Sequence, residues 1–398
     1  MELSAPCTFF VCVIPILIQT MTFEELMELD RLNKCTYESV KQSRWKATTQ
    51  RYLANLLLRN LQLQRDVLNH EYSVKPTVDF YLNERGRVRY IEAPVVGDRT
   101  IQKTFTENVL TPSLIPYVIY DNYASIKHRG TSFARKRFEI MLKRYIRIYG
   151  IDGYILFIDI KKYFENIDHD VLKELIYPHI MNEDKDVIDL IYYIIDTSSK
   201  TNKGLNLGSE APQFLALYYL NPVDVYVKVV KSIKYYGRYM DDIFIIARTK
   251  EELFLLLDEI EKVLLSLKLE INRKKTQVIK LRHGFTFLQI KYNVLKSGKI
   301  LKRLTRKKIV RERRRLKAFK RLYDLGIMSE NEVWNCYQSW RGTIVKEHNA
   351  CYHSIHSMDK LYKSLFPVHE EPRKVGRKEK FEGIFRTANT NDLNKIFI

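Results

Sequence analysis

The chain has 398 residues, 45% of them apolar and 29% charged, with only 14 Gly and 11 Pro. That composition belongs to a folded chain large enough for two or three domains, and it excludes collagen-like, low-complexity and disulfide-stapled architectures. Its 67 Lys and Arg outnumber 47 Asp and Glu, a formal charge of +20, which points to a polyanionic partner, nucleic acid first and an anionic membrane surface second.

Thr8 to Gln19, TFFVCVIPILIQ, is an apolar run broken by Pro15. It is shorter than the roughly 20 residues that cross a bilayer, and no basic residue precedes it as in a signal peptide. It reads as an extension ahead of a start at Met21, or alternatively as a small apolar anchor; no membrane association is expected. Five cysteines (Cys7, Cys12, Cys35, Cys336, Cys351) are irregularly spaced without a CxxC, which fits free thiols and a cytoplasmic location. From Met21 to about Glu71 the pattern is helical, with Leu53, Leu56, Leu57, Leu58, Leu61 and Leu63 near helical spacing. Lys41, Arg44, Lys46 and Arg51 make this region basic. Trp45 reads first as a core anchor and alternatively as a stacking platform for a base.

Residues 77–95 alternate on both sides of Asn83-Glu84-Arg85-Gly86, the pattern of a β-hairpin turning at Gly86. Arg87, Arg89 and Arg99 lie on or just after it. A guanidinium donates paired hydrogen bonds to phosphate, so these are candidates for holding a triphosphate; the alternative is a solvated strand face. Asp121 to Ser132 is a basic loop containing Gly130, ahead of a helix over Phe133 to Tyr149. A helix start of this kind suits phosphate contact.

Gly153 to Asp159, GYILFID, is an apolar strand ending in a carboxylate, and an amphipathic helix with Asp168 as its cap follows. Lys203 to Val223 has a Gly-containing polar head and an apolar helical tail. Tyr235 to Ala247, YYGRYMDDIFIIA, reads as two strands with Asp241 and Asp242 at their junction. Adjacent carboxylates repel and are costly to bury unless a cation lies between them. Mg²⁺ prefers oxygen ligands and leaves room for phosphate oxygens. The pair is thus a candidate for metal-dependent phosphoryl transfer, against the alternative of a solvated turn. Asp159 is the candidate third acid, because a two-metal clamp draws carboxylates from different strands. Lys250 to Leu269 is an amphipathic helix, followed by a basic turn to Thr276. FTFLQI, Phe285 to Ile290, begins a further hairpin turning near Ser297-Gly298. Lys302 to Arg321 holds twelve Lys or Arg and one acid, Glu312, around a stripe of Ile309, Leu316, Phe319 and Leu322. It reads as a helix with one core face and one face for phosphates. Met328 to Phe366 is helical again. His348, Cys351, His353 and His356 do not follow the paired spacing of structural zinc sites. The tail from 367 is polar.

In this order the stretches resemble the reverse transcriptase family, from about residue 77 to 292 and less specifically to about 366. Asp159 in FIDIKKYF matches the first catalytic block and YMDD, Tyr239 to Asp242, the most diagnostic one. The 203–223 stretch matches the block between them; Asn272 to Thr276 and FTFLQI match the two that follow. The resemblance implies an α+β right-hand polymerase: fingers, a ferredoxin-like antiparallel palm and a helical thumb. The expected division is a 1–20 extension, a 21–75 basic helical region, fingers and palm over 76–295, a thumb over 296–366 and a tail over 367–398.

The implied activity is RNA-directed DNA polymerisation, with an RNA template, a DNA or RNA primer and dNTPs as partners. Two Mg²⁺, or Mn²⁺ in substitution, are expected on Asp159, Asp241, Asp242 and the backbone of Ile160, Asp242 being the weaker ligand. Lys275 is the implied proton donor to pyrophosphate. Phe164 falls at the steric-gate position. Arg89 and Arg99 match residues that hold the triphosphate, and Gly208 and Gln213 complete the nucleotide site. Tyr239 and Met240 match contacts to the primer end; Lys308, Arg311, Arg314 and Arg315 lie in the basic thumb helix. Leu207 and Pro212-Gln213 depart from the retroviral and intron pattern. Gly208 with Gln213 is closer to diversity-generating or phage-defence enzymes. No endonuclease, RNase H or protease segment fits in the roughly 100 residues after the palm. A bacterial retroelement or antiphage role is expected, with a non-coding RNA or a small accessory protein as further partner. The alternatives are protein-primed or untemplated DNA synthesis and a non-catalytic RNA-binding scaffold.

Overall fold

A computed structural model of the chain describes residues 20–84, 87–206, 208–348 and 352–366. The apolar run at 8–19, Gly86 in the hairpin turn, Leu207, Cys351 and the tail from 367 lie outside the described residues. The chain divides into two compact units. One runs up to His283 and includes Lys296–Gly298; the other holds Gly284–Leu295 and the residues from Lys299 on.

After a short turn of helix at Phe23–Leu26, the first unit has helices α1 (Leu29–Ser39), α2 (Ala47–Ala54) and α3 (Leu56–Leu68). Leu32, Cys35 and Val40 are buried, but Leu57, Leu58 and Leu61 of α3 are more than half exposed. Trp45 is 75% exposed, so the core-anchor reading does not hold. It sits in the turn between α1 and α2, where Val40 supplies the buried side chain instead. Strands β1 (Val78–Glu84) and β2 (Arg87–Ala93) form the expected hairpin, paired Val78 to Ala93 through Glu84 to Arg87. Helix α4 (Val96–Phe105) follows, then α5 (Thr131–Tyr149).

A four-stranded antiparallel sheet is the frame of this unit. Strand β3 (Tyr154–Ile158) is followed by α6 (His169–Ile176) and α7 (Glu210–Tyr219). Next come β4 (Tyr236–Tyr239), β5 (Asp242–Ala247), α8 (Lys250–Ser266) and β6 (Gln277–Lys280), and the strand order is β4-β5-β3-β6. Both faces of the central strands are buried, which is why they read as unbroken apolar runs. Leu156, Ile158, Ile243 and Ile245 share a core with Leu215 of α7 and Leu253 and Ile260 of α8. The alternate residue Phe244 points to the other face, where Phe138 of α5 meets it edge-on at 4.9 Å. Asp168 caps α6 as expected, accepting from the Val171 amide at 3.3 Å.

The second unit begins with a meander of β7 (Phe285–Phe287), β8 (Ile290–Val294) and β9 (Ile300–Leu304). FTFLQI is therefore not one strand. The chain reverses at Leu288 and Gln289, both at positive φ (42° and 68°). The reversal near Ser297-Gly298 joins β8 to β9. Lys302 to Leu304 pair with β8 and belong to β9, so the basic helix α9 spans Arg306–Asp324. Helices α10 (Glu330–His348) and α11 (Tyr352–Leu365) complete a core of Leu316, Val333, Tyr337, Met358, Tyr362 and Phe366. Glu312 is buried against Arg315, so no acid faces solvent between Arg306 and Arg321 of α9. Among the described residues no helix is long and apolar enough to cross a membrane.

Candidate active site

The sheet register gathers the acids. Strands β3 and β5 pair in antiparallel fashion, and their last pair is Ile158 with Ile243. Asp159 is one residue beyond that pair on β3, and Asp242 one residue before it on β5. Tyr239 pairs with Asp242, which leaves Met240 and Asp241 as a two-residue hairpin loop. Met240 has φ 56°, the positive value that a type II′ turn requires at its first loop position. A non-glycine residue there is strained and needs support.

The support lies beneath the loop. Arg238 is fully buried; its Nη1 donates to the Met240 carbonyl at 3.0 Å and its Nη2 to the Leu217 carbonyl at 2.9 Å. Its Nε and Nη2 donate to the carboxylate of Asp224, also fully buried, at 2.8 and 2.5 Å. The Tyr236 hydroxyl and Asn122 Nδ2 donate to the same carboxylate. A buried ion pair of this kind is tolerable because its remaining hydrogen-bonding positions are filled. Neither Arg238 nor Asp224 stood out in the sequence.

Asp241 is half-buried and Asp242 exposed, yet enough protein lies around both carboxyls to desolvate them. Desolvation is the first cause pushing the Asp242 carboxyl up to about 6, and repulsion from Asp241 and Asp159 adds to it. Asp241 is raised by desolvation and by Asp159, while Lys275 and Arg89 pull it back. Asp159 is held from several sides. Lys275 Nζ lies 3.1 and 3.2 Å from its two carboxylate oxygens, and Asn272 Nδ2 donates at 2.9 Å. The Asn272 amide donates to the Asp159 carbonyl at 2.8 Å, and Ile160 bridges to Ile271. The basic turn after α8 is thereby stitched to the end of β3.

Among the described residues no three His, Cys, Asp or Glu side chains are gathered as a ready cage for a metal ion. The donor set nevertheless fits a hard cation. Three carboxylates lie close enough to repel one another where solvent reaches them, and desolvation together with that repulsion raises Asp241 and Asp242. His353 is exposed, and the His348 side chain and Cys351 lie outside the described residues.

The other expected site residues are distributed as follows. Arg89 on β2 is exposed and lies within electrostatic range of Asp241. Arg99 on α4 faces the N-terminal helices instead, donating to the Ser43 hydroxyl at 3.4 Å. Phe164 is half-buried, edge-on to Tyr163 at 5.5 Å, and its carbonyl accepts the Leu205 amide at 2.9 Å. That bond ties Phe164 to the Gly-containing head. Gly208 crosses the end of β2 so closely that a Cβ would meet the Glu92 carbonyl at 2.1 Å. Gln213, Tyr239 and Met240 are half-buried. In the second unit Arg311 and Arg314 are exposed on α9 and Lys308 is half-buried. The guanidinium of Arg315, expected on the nucleic-acid face, turns inward to Glu312 at 2.7 Å and the Cys336 carbonyl at 3.4 Å.

An antiparallel sheet with helices on both faces and acids where its two central strands meet is the α+β fold of the right-hand polymerases. The chain belongs to the reverse transcriptase (RNA-dependent DNA polymerase) family, whose family model matches residues 75–292, more than half of its length. Solved structures similar to it include apo telomerase from Candida tropicalis, at 14% identity and a TM-score of 0.43 over 57% of this chain and 47% of that one. Apo telomerase from the same organism, truncated from its C-terminal domain, is similar at 12% identity and a TM-score of 0.43, over 62% of this chain and 60% of that one. The chain thus spans about half to three fifths of the length of these structures. No curated protein sequence matches it.

Proposed function

We propose that the chain extends a primer 3′-hydroxyl with deoxynucleotides on an RNA template. The 3′-oxygen bonds to the α-phosphorus, the α–β phosphoanhydride breaks, and pyrophosphate leaves. The observation that carries this reading is the meeting of Asp159, Asp241 and Asp242 at one end of the β3–β5 ladder, within the family-matched segment. Asp159, Asp241 and the Ile160 carbonyl would hold two divalent cations, Mg²⁺ or Mn²⁺, with Asp242 as the weaker ligand. Bound there, the ions supply charge neutralisation at the attacking and leaving oxygens.

The chain's own groups do the rest. Arg89 receives the triphosphate, as its reach toward Asp241 supports. Gly208 lets the backbone of the head approach the nucleotide closely, and Gln213 contacts it from the first turns of α7. Phe164 is the ring that excludes a ribose 2′-hydroxyl. Lys275 is the proton donor to pyrophosphate, and its place beside Asp159, one of the acids that would hold the cations, supports that role. Tyr239 and Met240 hold the primer end, while Lys308, Arg311 and Arg314 neutralise backbone phosphates. Residues 76–295 then serve as fingers and palm and 296–366 as thumb. The Gly208–Gln213 pattern favours a bacterial retroelement or antiphage programme, with a non-coding RNA as a natural further partner.

Purified full-length protein should extend a DNA primer on RNA with Mg²⁺ and dNTPs, and Asp241→Asn should abolish extension. A variant that still polymerises removes the acid assignment.

A further inference from the structure

We propose that the turn between α1 and α2 is a docking platform for an unpaired stretch of RNA, separate from the polymerising site. The turn precedes the segment that the family accounts for, which begins at residue 75. Two aromatic rings stand out of the protein here, Tyr37 at 45% and Trp45 at 75% exposure. Each carries a cation over its plane: the Arg44 guanidinium lies 5.7 Å from the centroid of Tyr37, and Lys46 Nζ lies 5.7 Å from that of Trp45. Lys34, Lys41 and Arg51 are exposed beside them. Glu38 is the single acid between residues 34 and 51, against five basic residues.

The turn is held in one shape. The Ser43 amide bonds to the Val40 carbonyl at 2.8 Å and the Lys46 amide to the Ser43 carbonyl at 3.1 Å. Val40 is fully buried, and Arg99 reaches from α4 to the Ser43 hydroxyl at 3.4 Å. An indole this exposed buries little apolar surface, and its contact with Lys46 is worth at most about 1 kcal/mol to the monomer. Set among cations, it matches what unpaired nucleic acid offers: a base face to stack on and phosphates to neutralise. A duplex presents no free base faces, and an acidic polypeptide offers carboxylates without rings. Charge together with exposed aromatic rings therefore selects single-stranded nucleic acid, and RNA is the strand that the proposed function supplies. An RNA anchored here is held whether or not its copied portion lies at the acids.

The test uses the full-length chain carrying Asp241→Asn, so that binding is read apart from chemistry. The protein is saturated with a template–primer duplex and titrated with a labelled, unstructured RNA of about 12 nucleotides, within the span that such single-strand sites cover. Trp45→Ala should weaken this RNA roughly tenfold, the effect of losing one base–aromatic stack, and Trp45→Phe should restore most of it. Arg44→Ala with Lys46→Ala should weaken it further and flatten its salt dependence. Photo-cross-linking with an iodouridine RNA should label the peptide containing Trp45. Equal affinity in wild type and Trp45→Ala overturns the proposal. So does equal binding of duplex and single strand, or Trp45-dependent binding of poly-glutamate with none of RNA. Because the readout is binding, failure of the polymerase reading leaves the result interpretable, and the converse holds.

Discussion

Arg238 is where the sheet should be most sensitive to a single change outside the acids. Arg238→Met keeps most of the side chain's bulk but removes its charge. The Asp224 carboxylate is then left fully buried, with the Tyr236 hydroxyl and Asn122 Nδ2 as remaining donors. Removing one partner of a buried pair destabilises by about 3–5 kcal/mol. The donors that persist put this case near 3, and the orphaned Met240 carbonyl adds about 1. Asp224→Asn should cost a similar amount by stranding the guanidinium. The double variant removes both charges, so it should be milder than the sum of the singles by roughly 2–3 kcal/mol. Hydrogen exchange at the β4 and β5 amides reads the opening free energy of this sheet without assuming that both units unfold together. Primer extension should fall in Arg238→Met even where the protein is fully folded, because the strained Met240 turn has lost the donor that pins it. Single variants that lower the opening free energy by less than about 1 kcal/mol, with extension unchanged, would refute the claim that this network holds the acids.

Gly208→Ala puts a Cβ 2.1 Å from the Glu92 carbonyl and 2.9 Å from Ala93 Cα. Backbone cannot yield there as a flexible side chain would, so the head or the end of β2 must shift. Nucleotide KM should rise, with an overpacking penalty of about 1–3 kcal/mol in thermal unfolding. The Asp242 carboxyl is pushed up to about 6 by desolvation first and then by Asp241 and Asp159. The stability of its neutral form is complete below the free-carboxyl value of about 4 and lost as pH rises through 6. The melting temperature of Asp242→Asn should therefore pull ahead of wild type between about pH 4 and 6 in chelator and keep that lead above 6; a gap independent of pH contradicts this. Arg314→Ala should weaken template–primer binding, lower the salt slope by about one and leave stability unchanged. Arg315→Ala should instead destabilise the second unit by about 1–3 kcal/mol, because it strands the buried Glu312.

The strands that carry the acids were readable in the sequence because their signal is local. GYILFID and DIFIIA are unbroken apolar runs, each with a carboxylate at one end, and burial on both faces of a central strand demands that pattern. The hairpin over 77–95 was readable from its alternation. What escaped depends on partners distant along the chain. A lone arginine in YGRY reads as solvent-facing. Yet Tyr236 and Arg238 share one side of β4, and both reach Asp224, 14 residues from Arg238. That parity, an arginine two residues from an inward tyrosine in an apolar sheet, was the available clue.

Helical spacing in α3 and a tryptophan nearby suggested a core face, but only Leu63, Val67 and Leu68 of that helix pack on the core. Leu57, Leu58, Leu61 and Trp45 face outward. Leu288 and Gln289 take positive φ although neither favours it, because β7 and β8 pair across them. Lys302 to Leu304 are strand for the same reason, β8 being their partner. The distinction has a chemical consequence at the active site. Adjacent aspartates announce themselves because their repulsion is local and unfavourable, whereas the buried charge pair that holds them in place becomes visible only once the chain has folded around it.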